Sequence, residues 1–256
     1  MNFTGNPLAV QLYTLREECK ADFLGTLARV KEIGYGGVEF AGLHGHKAAE
    51  VKSTMDKVGL KPAGCHVGLK DLQDKFEEIQ NDYVKTLGCE YVIVPSGPRD
   101  YSDGGKAWRE YCQAMRDMRK RCEAAGFKLG YHNHAFEFEG TIDGKTAWDV
   151  MLHEVPEESP LAELDICWVV AGKFDPVTEL RRLKGRVKLI HVKDFDPGVP
   201  PHNEDVGSGI IQWNAVYKAA EEAGVEWLVI ERDHPKPDGL ESIRASLAHL
   251  KKLGLE

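Results

Sequence analysis

Several features that mark specialised proteins are missing from this chain. No run of uncharged apolar residues is long enough to span a membrane, and no basic residue precedes Arg16, so neither a transmembrane helix nor a secretory signal peptide is expected. Basic residues are scarce: 33 Lys and Arg stand against 41 Asp and Glu, a net charge of −8. This balance argues against nucleic acid or an anionic membrane as a partner. We expect a cytoplasmic protein that acts on a small molecule, and a homo-oligomer is compatible with the sequence.

The cysteines and glycines form no reactive or phosphate-binding motif. No CxxC occurs among the six cysteines, which we interpret as reduced, buried thiols: Cys19, Cys65, Cys89, Cys112, Cys122 and Cys167. A nucleophilic cysteine is the alternative, but no local feature marks one as activated. The glycine clusters at 34–37 and 207–209 match neither a P-loop nor a dinucleotide fingerprint. Phosphate recognition therefore has no support in the sequence.

One pattern recurs along the chain: an apolar run, a polar loop, an amphipathic stretch and a glycine that leads into the next apolar run. A left-handed residue after a helix favours glycine, and a strand that starts at once keeps the connection short. Glycines therefore close most of the predicted helices, at Gly34, Gly59, Gly88, Gly126, Gly185, Gly224 and Gly254. The fifth helix, around Thr146 to Val155, is the exception, because Pro156 and Pro160 follow it.

Eight apolar runs rich in Val, Ile and Leu are typical of strands buried on both faces of a parallel sheet. They are LAVQLYTL, YGGVEFAG, LKPAGCHVG, CEYVIVPSG, FKLGYHNHAF, LAELDICWVV, RVKLIHVKDF and VEWLVIERD. Eight strand–helix units favour closure into a (β/α)8 TIM barrel, which leaves no open sheet edge. An open doubly wound sheet is the competing prediction. Because we find no linker, we expect residues 1–256 to form a single domain.

Polar residues interrupt or end nearly all of these strands, at the end of the barrel where active sites lie. They are Glu39, His66, His132, His134, Asp165, His191, Lys193, Asp194 and Glu231. A buried charge at such a position is unfavourable unless it is paired or ligated. Asp165, His191 and Glu231 come from successive strands, so their side chains are expected to meet. Carboxylate oxygens and an imidazole nitrogen suit Mn²⁺, Mg²⁺, Co²⁺ or Zn²⁺, which predicts one divalent metal ion.

Six segments spread along the whole chain carry a further signal: GYGGVEF, LGYHNHAFEF, ELDICWVVAGKFDP, KLIHVKDF, EDVGSGIIQW and LVIERD. In this order they resemble the xylose isomerase-like barrel superfamily, the sugar phosphate isomerases and epimerases. The resemblance implies a TIM barrel and a divalent metal at the ends of strands five to eight, commonly held by Glu, Asp, His and Glu. Matched position by position, Asp165, His191 and Glu231 take the last three places.

Two strands depart from the family pattern. On the fifth, many members have a glutamate before Asn and His, whereas this chain has His132; the implied fourth ligand is therefore His132, with Glu137 as the weaker alternative. On the sixth, the family's Asp-x-x-His corresponds to Asp165 and Trp168. In the epimerases of this superfamily two metal-bound glutamates move a proton between the faces of an enediolate, and of that pair the resemblance leaves only Glu231 here. This change argues against simple 3-epimerisation of a free ketose.

The chemistry that the resemblance implies is proton abstraction next to the carbonyl of a sugar or cyclitol. We expect Glu231 to serve as ligand and base, with Lys193 or His134 as the acid. An isomerase or epimerase returns the proton to a neighbouring carbon or to the opposite face, whereas a lyase or dehydratase expels the β oxygen. The residues expected to line the sugar pocket are Glu39, His66, Trp168 and Asp194, with the apolar face of the Trp168 ring against the substrate.

Two further function classes are alternatives. An abasic-site endonuclease shares the superfamily's barrel, but it binds three metals through a richer set of ligands and needs a cationic surface, which the net charge of −8 opposes. A non-catalytic sugar-binding protein needs no Lewis acid, so metal analysis separates it from an enzyme. The sequence favours a metal-dependent sugar isomerase or epimerase, with a lyase or dehydratase acting on a keto-sugar or keto-inositol as the alternative.

Overall fold

The computed structural model describes residues 7–198 and 203–254. Within these ranges, parallel strands close into a barrel: β1 (Leu8–Gln11), β2 (Gly37–Phe40), β3 (Lys61–His66), β4 (Tyr91–Val94), β5 (Lys128–His132), β8 (Leu161–Asp165), β9 (Val187–Val192) and β12 (Trp227–Ile230). Strand β1 pairs with both β2 and β12, with Ala9 opposite Gly37 and Val229. The predicted (β/α)8 barrel is confirmed, and the open doubly wound sheet is wrong.

Two short hairpins lie outside the barrel wall. One joins β6 (Thr141–Ile142) to β7 (Lys145–Thr146), and the other joins β10 (Asp194–Phe195) to β11 (Asn203–Glu204). The second hairpin directly follows barrel strand β9, so it sits at the end of the barrel where the predicted site residues lie.

Helices surround the barrel: α1 (Arg16–Ile33), α2 (Ala48–Val58), α3 (Leu69–Asp74), α4 (Phe76–Ile79), α5 (Lys106–Ala124), α6 (Phe136–Glu139), α7 (Ala147–Leu152), α8 (Ile166–Ala171), α9 (Pro176–Arg182), α10 (Trp213–Ala223) and α11 (Gly239–Lys252), with a π-helical segment at Gln80–Thr86. All the glycines predicted to close helices have positive φ, from 78° at Gly59 to 122° at Gly34, which confirms that prediction. In the described ranges, no helix combines the length and apolarity needed to cross a membrane.

Several strands end earlier than predicted. The CWVV stretch, predicted as the end of the sixth barrel strand, belongs to helix α8, because Oδ1 of Asp165 accepts a hydrogen bond from the backbone N–H of Trp168 at 3.1 Å. An N-cap of this kind starts a helix at once. The fifth strand likewise ends at His132, and α6 begins four residues later, at Phe136. Trp168 and His134 therefore project from a helix and a loop above the barrel.

The interior of the barrel changes character along its axis. At the amino-terminal ends of the strands it is filled by an apolar cluster of Ala9, Ala63, Tyr91, Ile93, Leu189 and Val229. Side chains alternate between the two faces of a strand, so each next inward position lies two residues later. At this spacing Ala9, Leu189 and Val229 are followed by the polar residues Gln11, His191 and Glu231. Glu39 and Glu163 contact His191 in the same layer, and Gln11, Glu39, Glu163 and His191 are fully buried. A separate apolar core lies between the strands and the helices.

The six cysteines are free and buried, as predicted. Burial raises the pKa of Cys19, Cys112 and Cys122 to about 12, so these thiols stay protonated at neutral pH. The cysteines therefore act as small core residues.

Candidate active site

A cavity of about 440 Å³ opens at the carboxyl ends of the barrel strands. This volume lies within the range of small-molecule sites. Groups that exchange protons or bind metals surround it: His66, His132, His134, Lys193, Glu231 and Asp233. All of them except Asp233 were predicted from the strand ends.

The four predicted metal ligands form one buried group, here called the upper cluster: His132, Asp165, His191 and Glu231. One ligand atom from each lies within 4.8 Å of those of the others. Oδ2 of Asp165 is 3.9 Å from Nε2 of His132 and 3.8 Å from Nδ1 of His191. Nδ1 of His191 is 2.9 Å from Oε2 of Glu231. The structure therefore brings together side chains that are about 100 residues apart in sequence.

The upper cluster fits a divalent cation. Oδ2 of Asp165 is buried and accepts no hydrogen bond from any described residue, although Nζ of Lys193 lies 3.1 Å away. A buried carboxylate oxygen without a hydrogen bond is unfavourable unless a cation is near. Two carboxylates and two imidazoles form a ligand set that suits Mn²⁺, Co²⁺ or Zn²⁺.

Lys193 reaches the same carboxylates from the side of the cavity. Its Nζ lies 2.8 Å from Oε2 of Glu231 and 3.1 Å from Oδ2 of Asp233. Burial lowers the pKa of Lys193, but Asp165, Glu231 and Asp233 together raise that pKa well above its ordinary value. For Glu231, burial raises the pKa, but Lys193 and His191 hold it well below the usual range. Lys193 and Glu231 are thus an ion pair at the cavity wall.

His134 stands above the upper cluster between two aromatic rings. Its ring stacks on Phe136 at 5.7 Å and on Trp168 at 6.0 Å between centroids. Its Nδ1 is buried and finds no hydrogen-bond partner in the described ranges. Burial, with a smaller effect from the Lys193 charge, lowers the pKa of His134 to about 3, so the imidazole is neutral at pH 7.

Glu137, the alternative fourth ligand, anchors the loop that carries His134. Its Oε2 accepts a hydrogen bond from the backbone N–H of His134 at 2.7 Å, and its Oε1 accepts one from the hydroxyl of Tyr131 at 2.6 Å. Glu137 is fully buried and is not among the residues around the cavity. Its position therefore favours His132 over Glu137 as the fourth ligand.

A second layer of polar groups, here called the lower cluster, lies beneath the upper one: Gln11, Glu39, His66 and Glu163. Oε2 of Glu39 accepts a hydrogen bond from Nε2 of Gln11 at 2.7 Å and lies 2.8 Å from Nε2 of His191. Nε2 of His66 lies 3.2 Å from Oε2 of Glu39 and 2.7 Å from Oε2 of Glu163. Burial lowers the pKa of His66, but the two carboxylates overcome it and raise the pKa to about 10. His66 is therefore an imidazolium at neutral pH.

Two residues predicted to line the sugar pocket are placed elsewhere. Glu39 is fully buried beneath the cavity floor, where it contacts His66 and His191.

Asp194 is fully buried behind the cavity wall. Its carboxylate accepts four hydrogen bonds, from the backbone N–H groups of Phe195, Gly207 and Ile211 and from the indole of Trp213. For Asp194, strand alternation explains the placement, since Lys193 faces inward and its neighbour faces outward.

The other two predicted pocket residues are near the cavity. His66 lines it. Trp168 stands beside it, partly exposed, with Nζ of Lys193 5.0 Å from the ring centroid. This distance is within the range of a cation–π contact.

These features define a class of protein: a closed (β/α)8 barrel with buried histidines and carboxylates at the carboxyl ends of its strands. The chain belongs to the xylose isomerase-like TIM barrel family, whose sequence profile matches residues 27–253. The resemblance predicted from the sequence is thereby confirmed.

Two curated proteins are similar in sequence. Inosose dehydratase of Geobacillus kaustophilus (strain HTA426) is 25% identical over 191 residues, which are 66% of this chain and 60% of that protein. The rhizopine catabolism protein MocC of Rhizobium meliloti is 25% identical over 186 residues, 66% of this chain and 56% of that protein. The chain thus spans less than two thirds of the length of either relative.

The fold also matches solved structures. A crystal structure of a sugar phosphate isomerase/epimerase from Parabacteroides distasonis ATCC 8503 has a TM-score of 0.78 and 23% sequence identity, and the match covers 98% of this chain and 96% of that one. At this identity the likeness shows a shared barrel.

Proposed function

We propose that this chain is a divalent-metal-dependent enzyme that abstracts a proton next to the carbonyl of a sugar or cyclitol, as an isomerase or epimerase. The observation that carries the proposal is the buried Lys193–Glu231 pair, 2.8 Å apart at the cavity wall, beside a cluster that suits a metal ion. A positioned carboxylate and ammonium supply the base and the acid of such a reaction. Family membership and the inosose dehydratase match support a sugar or cyclitol as the substrate.

The upper cluster would hold the ion through His132, Asp165, His191 and Glu231. When bound, a divalent ion supplies Lewis-acid polarisation of the substrate carbonyl and stabilises the negative charge that develops on its oxygen.

Glu231 is the proposed base and Lys193 the proposed acid. Lys193 lowers the pKa of Glu231 in the ion pair, so Glu231 becomes the stronger base when the ammonium turns from it to a substrate oxygen. His134 is a weaker choice for the acid, because a pKa of about 3 leaves little imidazolium at neutral pH. Its Nδ1, which has no hydrogen-bond partner in the part of the chain that the structure describes, instead offers a hydrogen bond to a substrate hydroxyl.

Elimination is the second candidate reaction, and the arrangement of the carboxylates favours it. Among the described residues around the cavity, the carboxylates are those of Glu231 and Asp233, and both form ion pairs with Lys193. Because they are two residues apart in one segment, both approach a substrate from the same side. Proton transfer between opposite faces needs bases on both sides, whereas elimination needs one base and an acid for the leaving oxygen. The dehydratase among the relatives agrees with this alternative.

Hydrogen–deuterium exchange tests the proposal. The protein is incubated in D2O with Mn²⁺ and a panel of keto-sugars and keto-inositols, and each substrate is examined by NMR and mass spectrometry. We expect deuterium at the carbon next to the carbonyl, and no exchange once the protein has been stripped with a chelator. Loss of water from the product identifies a dehydratase, and an unchanged product mass apart from deuterium identifies an isomerase or epimerase. A wild-type chain that binds no divalent ion would contradict the proposal.

A further inference from the structure

A single carboxylate oxygen joins the three histidines of the barrel interior. Oε2 of Glu163 lies 2.7 Å from Nε2 of His66, 3.1 Å from Nδ1 of His132 and 3.2 Å from Nε2 of His191. Glu163 is fully buried, two residues before Asp165 on strand β8, and was not predicted as a site residue.

Two of these imidazoles face both clusters. His132 presents Nδ1 to Glu163 and Nε2 to Asp165. His191 presents Nε2 to Glu163 and Glu39, and Nδ1 to Asp165 and Glu231. A neutral imidazole carries its proton on one nitrogen and a lone pair on the other. When Glu163 accepts a hydrogen bond from the protonated nitrogen of such an imidazole, the other nitrogen therefore points its lone pair at the upper cluster.

We propose that Glu163 is a positioning residue for the divalent ion: it fixes the ring orientation and tautomer of His132, and it shares this role at His191 with Glu39, whose Oε2 lies nearer to Nε2 of His191. In this arrangement Nε2 of His132 and Nδ1 of His191 carry the lone pairs that face the ion. Carboxylates behind ligating histidines act in this way at many metal sites. The inference rests on the proposed function, because it takes the upper cluster as the metal site.

The alternative is that the ion binds to a second set of residues, here called the lower group: His66, His132, Glu163 and His191. One atom each from His66, His132, Glu163 and His191 also lie within 4.8 Å of one another. The lower group shares His132 and His191 with the upper cluster. If each set held an ion, both imidazoles would have to bind one ion through each nitrogen, which requires their deprotonated, anionic form. Glu163 and Glu39 are moreover closed off from the cavity, where an ion has to meet its substrate. The upper cluster has a carboxylate, that of Glu231, at the cavity wall, whereas the lower group reaches the cavity only through the imidazoles of His66 and His132.

The test compares Glu163→Gln with Glu179→Gln, a matched control. Glu179 is also a buried glutamate that contacts a histidine, with Oε1 2.6 Å from Nε2 of His153, but it lies outside the barrel interior. Metal affinity is measured by calorimetry and by the visible absorption of bound Co²⁺. We expect Glu163→Gln to bind about 10- to 100-fold more weakly and to change the Co²⁺ spectrum, because an amide no longer attracts the imidazole protons as a carboxylate does. Glu179→Gln should match the wild type in both.

A second measurement needs no variant. In the Zn²⁺-loaded wild-type protein, ¹⁵N NMR of the histidines should show the proton on Nδ1 of His132 and on Nε2 of His191. The opposite tautomers would overturn the inference, as would a folded Glu163→Gln protein with wild-type affinity. Binding of two ions per chain would assign the lower group as a metal site and would also overturn the inference. If the wild-type chain binds no divalent ion, the proposed function fails together with this inference, whereas equal binding by wild type and Glu163→Gln contradicts the inference alone.

Discussion

Nζ of Lys193 lies 2.8 Å from Oε2 of Glu231, with the two side chains only 1% and 7% exposed. Water hardly screens this pair, so each partner strongly affects the proton affinity of the other. Because the pair borders the cavity, a substrate oxygen that approaches Lys193 competes directly with Glu231. The separate removal of each partner distinguishes the base from the acid.

Replacing the proposed base should stop proton abstraction without emptying the proposed metal site. In Glu231→Gln the amide oxygen can still face the ion but cannot take a proton from carbon. We expect deuterium exchange to fall by about 10²- to 10⁴-fold while part of the bound metal remains. Exchange rates by NMR and metal content by elemental analysis check this. Near wild-type exchange would move the base to His134, because Glu137 does not line the cavity.

Asp165 has a proposed role as a metal ligand and an observed role as a helix cap, and two substitutions separate them. Its Oδ2 faces the upper cluster, and its Oδ1 caps helix α8 through the N–H of Trp168. Asp165→Ala should lose the metal and should also be less stable than Asp165→Asn by about 1 kcal/mol, because asparagine keeps the N-cap. Metal titration and chemical denaturation of both variants measure the two effects. Wild-type metal affinity in Asp165→Ala would remove this residue from the ligand set.

Lys193→Met separates elimination from simple exchange. If the ammonium protonates the leaving oxygen, elimination should slow by about 10²- to 10⁴-fold, while exchange driven by Glu231 survives. Both rates are measured on the metal-loaded variant with the same substrate. A parallel collapse of the two would show that Lys193 holds the substrate or polarises its carbonyl.

Glu137 should make stability depend on pH. Burial raises its pKa from 4.5 to about 8, against the hydrogen bonds from Tyr131 and the His134 backbone. The folded state therefore binds this proton more tightly than the unfolded chain does. The resulting stabilisation is complete below the unfolded pKa of 4.5 and is lost as pH rises through about 8.

Denaturation of wild type and Glu137→Gln between pH 5 and 9 measures this contribution. We expect the wild-type free energy of unfolding to fall with pH relative to that of the variant, because glutamine does not titrate. Parallel curves would mean that the pKa of Glu137 is the same in the folded and unfolded states.

The glycine pattern predicted the barrel because each glycine marks a local backbone conformation that the sequence alone specifies. The strand ends were less predictable. The apolar stretch after Asp165 suits a strand and a helix equally. The hydrogen bond from the backbone N–H of Trp168 to the Asp165 carboxylate caps this stretch as a helix.

The side-chain directions at the predicted site were likewise predictable in part. His191 and Lys193 are two residues apart and both face inward, which makes Asp194 face outward; alternation alone could have shown this. The same rule applied backward from Asp165 points to Glu163, which the sequence analysis missed inside an apolar strand. That Glu163 meets three histidines follows from strand register, and register is fixed only when the barrel closes.

Closure of the barrel would also tie the proposed metal binding to folding. Strand β12, which leads into Glu231, is held in the barrel by β1 on one side and β9 on the other. The upper cluster is therefore complete only after the first and last barrel strands have paired across almost the whole length of the chain. An ion that binds this closed state alone raises stability as its concentration exceeds its dissociation constant. A bound ion would thus report a barrel whose two ends have joined, and its removal by a chelator should lower the unfolding temperature.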